Sequence, residues 1–207
     1  MIDTAFLITA FVTMFVVIDP IGLAPLFVAL TQGVPERQRR TIAVRACGIG
    51  MIILIVFALF GEAVLGFVGI SMPAFRVAGG VLLFLTALDM LFERRTKRRE
   101  DQADDEDHDD PSVFPLAIPL IAGPGAIASV ILLTGQKPGV EGLALVLAIT
   151  ALVLGVCLVL FLASGILERA LGKTGITVVT RLLGMLLAAL SVQFVLDGLS
   201  NFGLMPG

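Results

Sequence analysis

Asp19, Pro20, Gly22 and Pro25 stand together in "VIDPIGLAPLF", residues 17–27, inside an apolar run from Phe6 to Leu30. A second apolar run holds "PLAIPLIAGPGA", residues 115–126, with Pro119, Gly123, Pro124, Gly125 and Ala126. Proline has no N–H and clashes with the preceding turn, so each run is interrupted as a helix. Aspartate is a good N-cap and proline suits the first helical position. Asp19-Pro20 therefore reads as the start of a second half-helix, the first ending near Ile18, with Gly22 allowing close approach. Gly123-Pro124 repeats the form without a carboxylate. It leaves the N–H groups of Gly125 and Ala126, and the positive end of a helix dipole, for another group. One break offers a fixed negative charge and the other offers donors. Facing each other, they would hold a small zwitterion, with its ammonium at Asp19 and its carboxylate at Gly123–Ala126. The competing reading is a pair of proline kinks, with Asp19 only capping its own helix. Two breaks and an intramembrane carboxylate favour the binding site.

Other polar groups are candidates for lesser roles. Arg76, Asp89, Arg181 and Asp197 are candidate coupling or gating residues, or else interfacial anchors; Glu62 and Gln193 read as interfacial. Thr13, Thr86, Ser129, Thr134 and Ser191 are expected to bond between helices, and Gly79, Gly80, Gly184 and Ala188 to let helices pack closely. Cys47 and Cys157 lie far apart in sequence with no CxxC spacing, so neither a disulfide framework nor a metal site is indicated. His108 lies among loop carboxylates, where a solvated linker is the simpler reading than a metal site. There is no GxxxxGK[ST], and the three lysines and the histidine all fall in loops. A Ser–Lys, Cys–His or HExxH centre is thus lacking. The expectation is a protein that is not an enzyme, with no cofactor and no nucleic-acid partner.

The elements that must position these residues are membrane spans. The 207 residues are 57% hydrophobic and 15% charged, with mean hydropathy +1.03, which excludes an ordinary soluble domain. A bilayer core takes about 20 apolar residues per helix. Six segments qualify: 4–31, 41–68, 72–92, 113–134, 140–166 and 177–201. Asp3 and the lack of a basic leader favour a retained first span over a cleaved signal. Twelve of the 14 Lys and Arg residues fall in or beside the loops after spans one, three and five. They include Arg37, Arg39, Arg40 and Arg45, then Arg94–Arg99, then Arg169, Lys173 and Arg181. Only Arg76 and Lys137 lie on the other side. This predicts cytoplasmic odd loops and both termini periplasmic or extracellular. "ERRTKRREDQADDEDHDD" opens the cytoplasmic linker 93–112, whose basic half suits anionic lipid and whose acidic half reads as disordered.

That linker separates a first three-helix repeat, 1–92, from a second, 113–207. Phe15, Pro20 and Pro25 match Phe114, Pro119 and Pro124 at a spacing of 99. Arg76, Gly79, Leu82, Leu85 and Thr86 match Arg181, Gly184, Leu187, Leu190 and Ser191 at 105. Three spans per half makes the second half inverted. Inverted repeats with interrupted spans in matching places point to secondary transporters. The fold expected is an all-α integral membrane protein of six transmembrane helices, two inverted three-helix repeats with helices 1 and 4 broken.

"FVTMFVVIDPIGLAPLFVALT" (11–31) together with "PLAIPLIAGPGAIASVILLT" (115–134) resembles the MarC family of bacterial and archaeal inner-membrane proteins. The family's DPxGxxP pattern falls on Asp19, Pro20, Gly22 and Pro25, and its second pattern on Pro119, Ala122, Gly123, Pro124 and Gly125. The acidic stretch 100–110 is not part of the pattern. The resemblance implies a multi-pass plasma-membrane protein, and some members are described as transporters of neutral amino acids such as alanine and glycine. The expected function is a secondary transporter of a small neutral amino acid, coupled to a proton or sodium ion. The alternative is a membrane-embedded structural or regulatory protein without transport.

Overall fold

The computed structural model describes residues 4–92 and 110–202. The linker residues 93–109, with His108 and most of the basic and acidic tracts, lie outside the described residues. The helices are α1 (Thr4–Ile18), α2 (Pro20–Leu30), α3 (Glu36–Val68), α4 (Met72–Leu91), α5 (Ser112–Ile121), α6 (Pro124–Gln136), α7 (Val140–Leu162) and α8 (Ser164–Asn201). No strand occurs among the described residues. Among the described residues, five segments are long and apolar enough to cross a bilayer: Thr4–Leu30, Glu36–Val68, Met72–Leu91, Val140–Leu162 and Thr174–Asn201. A sixth is formed if α5 and α6, bent by 52° at their junction, count as one span.

A single residue separates α1 from α2. Asp19 N donates to Phe15 O at 2.9 Å, and Leu23 N donates to Asp19 O at 3.0 Å, so the two ladders meet there. Asp19 takes φ 57°, ψ 62°, a left-handed conformation that aspartate tolerates better than most residues. The second interruption is built differently. Phe114 and Ile118 have extended backbone, with φ −126° at both, because each precedes a proline. The Phe114–Pro115 and Ile118–Pro119 bonds are cis. α5 is thus an irregular coil rather than a straight half-helix.

This corrects one alignment. The spacing of 99 pairs Pro20 with Pro119 and Pro25 with Pro124. Locally, however, Pro20 and Pro124 both open helices, Pro25 lies inside α2, and Pro119 lies in the coil. The two cap-proline pairs that open helices, Asp19-Pro20 and Gly123-Pro124, are 104 residues apart. Prolines in the coil mimic the period without sharing the geometry.

Helix directions follow from close contacts. A Cβ on Gly80 would lie 2.8 Å from Ser191 O, one on Gly184 2.9 Å from Met90 Cβ, and one on Gly198 2.7 Å from Val77 Cγ2. Early α4 thus meets late α8 and the reverse, so the two pack antiparallel through small residues. Gly79 receives Leu132 in the same way. On α3, Gly50 faces Ile121 and Gly61 faces Ile131, each Cβ position 2.5 Å from a side-chain carbon, so α3 runs parallel to α5–α6. α2 and the later parts of α1 and α6 are largely enclosed, whereas Ile8 of α1 and Pro124 of α6 are exposed and α3 turns Ile52, Phe60, Val64 and Phe67 outward. Such an apolar outer face is what hydrocarbon, not water, accepts.

Two helices exceed their expected bounds. α3 starts at Glu36 rather than 41; its 33 residues span about 50 Å at 1.5 Å per residue, well beyond the hydrocarbon core. The predicted fifth loop is largely helix, since α8 begins at Ser164 and is broken by Gly172 at φ 60°, a conformation glycine adopts freely. The start of α5 is tied to α3 by an Arg45–Asp110 ion pair of 2.9 Å. Bonds from Ser112, then the Arg45 charge, hold the Asp110 carboxyl below the ordinary range.

The sequence gives no reason to pair the cysteines, yet their thiols are hydrogen-bonded across α3 and α7. Both are free and buried. Treating membranes with a copper–phenanthroline oxidant should join Cys47 to Cys157, seen as an intrachain peptide link by mass spectrometry. Failure to form it in folded protein would contradict the α3–α7 packing.

Candidate functional site

Asp19 is 1% exposed. Burying a carboxyl is costly without polar partners. Oδ1 accepts from Gly22 N at 3.1 Å, which caps α2. Gly22 is required by this geometry: a Cβ there would fall on Oδ2 and 2.8 Å from Cγ of the same carboxyl. Pro20 and Pro25 have no N–H to offer the carbonyls four residues back, those of Val16 and Ile21. Those two carbonyls therefore lack the i+4 donor of a regular helix ladder.

Across α1 lies the other break. Gly123, at φ −82°, ψ 172°, caps α6 with no side-chain hydrogen bond, and Pro124 is the first helical residue. A Cβ on Gly123 would strike the Pro119 carbonyl oxygen, which explains both glycine and the turn from α5. The Cβ position of Gly125 is 3.1 Å from Val17 Cγ1, 3.6 Å from Leu83 Cδ2 and 3.7 Å from Thr86 Oγ1. Val17 is two residues from Asp19. The N-terminus of α6 therefore abuts α1 beside Asp19, level with the middle of α4. Ala126 is buried there. A buried carboxyl thus lies at the α1–α2 junction, and the N-terminus of α6, which favours an anionic group, has no side-chain cap.

The remaining polar candidates separate by depth. Arg76 and Asp197 lie at one end of the antiparallel α4–α8 pair, and Asp89 and Arg181 at the other. Arg76 Nε is shielded without an acceptor, and Asp197 accepts from Gln193 Nε2 at 2.7 Å on its own helix. Asp89, three residues after Thr86, shares that face of α4. The expectation that hydroxyls bond between helices is corrected. Thr86 donates to Leu82 O at 3.0 Å, Ser129 to Gly125 O at 2.8 Å, Thr134 to Val130 O at 3.0 Å, and Ser191 to Ala188 O at 2.7 Å. A hydroxyl in hydrocarbon finds its own helix's carbonyl nearest. Thr13 differs: it is fully buried and its Oγ1 has no partner. Val17 is the residue that sequence reading misses, because an apolar residue carries no local sign of which helix it meets. No group of three or more metal-ligating side chains occurs among the described residues.

Apolar spans of bilayer length, with a buried carboxyl at the end of one and an uncapped helix N-terminus packed against the same helix, define a polytopic helical membrane protein. Residues 4–202 match the MarC family of integral membrane proteins. The chain belongs to that family. It is 37% identical over 201 residues to the UPF0056 membrane protein MJ1677 of Methanocaldococcus jannaschii, covering 95% of this chain and 97% of that one. It is 41% identical over 198 residues to a second protein of that organism, the UPF0056 membrane protein MJ0972, covering 94% and 86%. The UPF0056 inner membrane protein YhgN of Escherichia coli is 34% identical over 193 residues, covering 93% and 95%. No solved structure matches.

Proposed function

We propose that this protein is a secondary transporter of a small neutral amino acid across the plasma membrane, working without enzymatic chemistry. The observation that carries the reading is the approach of Gly125, at the α6 N-terminus, to Val17, two residues from the buried Asp19. The substrate ammonium lies at Asp19 and the carbonyls of Val16 and Ile21. Its carboxylate lies at the N–H groups of Gly125 and Ala126. Val17 and Leu83 now close over Gly125, so a substrate enters only when α1 and α6 part. A proton or sodium ion coupled to that motion would use Asp89, on the Thr86 face of α4, as a further carboxyl.

Two inverted three-helix repeats, each opening on a broken span, are part of the same reading. Exchanging the halves turns most of the helix contacts into one another. The α2–α7 contact becomes α6–α3, α2–α8 becomes α6–α4, and α1–α7 becomes α5–α3, while α4–α8 and α3–α7 map onto themselves. Inverted repeats rock about a site where discontinuous helices meet. The Gly22 N–H bond to Asp19 supports a second reading, in which Asp19 is only a cap and the protein is a structural or regulatory membrane component.

Purified protein in proteoliposomes, tested with labelled alanine and glycine under imposed proton and sodium gradients, separates the two. Gradient-dependent flux supports transport. No flux or binding for any small neutral amino acid leaves the structural reading. In intact cells, cysteines placed at either terminus should react with an impermeant reagent and cysteines in 93–112 should not. The reverse labelling would overturn the orientation drawn from the charges.

A further inference from the structure

We propose that a groove at the end of α2, remote from the paired breaks, binds the headgroup of an anionic phospholipid carrying one phosphodiester charge. The proposal does not depend on transport. The groove has a volume of about 540 Å³ and is bounded by the end of α2, the first turn of α3, the end of α7 and the start of α8. Its floor is aromatic: Phe27 stacks on Phe161 with ring centroids 4.6 Å apart and planes within 4°. The Arg39 guanidinium lies 5.7 Å from the centroid of the Phe27 ring. Its Nε is shielded from solvent and has no hydrogen-bond acceptor. A guanidinium donor shielded from water without an acceptor is costly, and an anion seated in the groove would satisfy it.

Arg40 lines the same groove, as does the first turn of α8, whose N-terminus has no side-chain cap. The ends of α2 and α7 bring helix C-termini to the same groove, so the helix dipoles largely offset one another and the positive charge is that of the arginines. Glu36 also lines it. Two arginines against one glutamate suit a single negative charge better than a multiply charged one. Membrane lipid rather than soluble phosphate fits the surroundings. Leu162 and Ile166, 47% and 72% exposed, continue the groove outward as apolar surface on which acyl chains can lie. The groove also sits where the apolar part of the span ends and the arginines of α3 begin, the level of headgroups. Basic pockets between spans at this level are a known form of lipid recognition.

The test is lipid retention by the full chain. Protein extracted in mild detergent is equilibrated with equimolar phosphatidylglycerol and phosphatidylcholine, and bound lipid is counted by native mass spectrometry. Wild type should retain phosphatidylglycerol over phosphatidylcholine by roughly tenfold or more, the scale of one charge-assisted bond. Arg39→Gln with Arg40→Gln should abolish the preference while helical content and monodispersity persist. Should that pair unfold, Arg40→Gln alone, at an exposed position, should still reduce it. Equal retention of the two lipids by wild type overturns the proposal without any variant. Full preference in folded variants overturns its placement in the groove. Complete displacement by millimolar inorganic phosphate overturns the lipid as source and assigns the site to a soluble anion.

Discussion

Asp19→Asn should abolish or greatly weaken transport while leaving the protein folded. Asparagine is as good an N-cap as aspartate, and it also tolerates the left-handed conformation that residue 19 adopts. The bond from Gly22 N and the helix start at Pro20 therefore survive. Only the charge is removed. A charge-assisted bond to an ammonium or coupling cation is worth about 1.5–3 kcal/mol, or roughly 10- to 100-fold in affinity. The check is substrate binding and flux in proteoliposomes, beside thermal unfolding in the same detergent. Wild-type transport by well-folded Asp19→Asn would leave Asp19 as a cap and remove the main reason to place an ammonium there. Asp19→Ala loses cap and charge together and cannot separate the two roles.

Gly22→Ala should also impair transport, for a reason visible only in the fold. Alanine is favoured over glycine inside a helix by about 1 kcal/mol. If residue 22 were merely helical, the substitution would stabilise the protein and leave transport unchanged. Here the new methyl would occupy the place of Asp19 Oδ2. The carboxyl must turn away, giving up its bond from Gly22 N and its present pose. The expected result is a loss of substrate affinity of about tenfold or more, the value of one misplaced charge-assisted bond. Thermal stability should not rise. A higher unfolding midpoint with wild-type flux would show that the carboxyl has room to spare and that its present pose is immaterial.

What the sequence by itself determined here is what depends on local chemistry. Apolar runs of bilayer length marked the spans within a few residues, because hydrocarbon admits a helix only where nearly every side chain is apolar. Asp19-Pro20 and Gly123-Pro124 marked helix starts, because capping and the missing proline N–H act within one turn. Loops were less legible. Ser164–Leu171 lies in a continuous helical stretch although its charges suggested the end of a span, since charge decides depth in the membrane and not backbone conformation. The irregular path of α5 was hidden behind a proline period that imitated the first break. Only the tertiary structure decided which residues meet. It set Val17 against Gly125, stood Cys47 beside Cys157, and put Arg39 over Phe27. None of these pairs has a sequence signal, because packing between apolar helices is chosen by shape across the whole bundle, and a leucine- and valine-rich surface looks alike on every face until its neighbour is known.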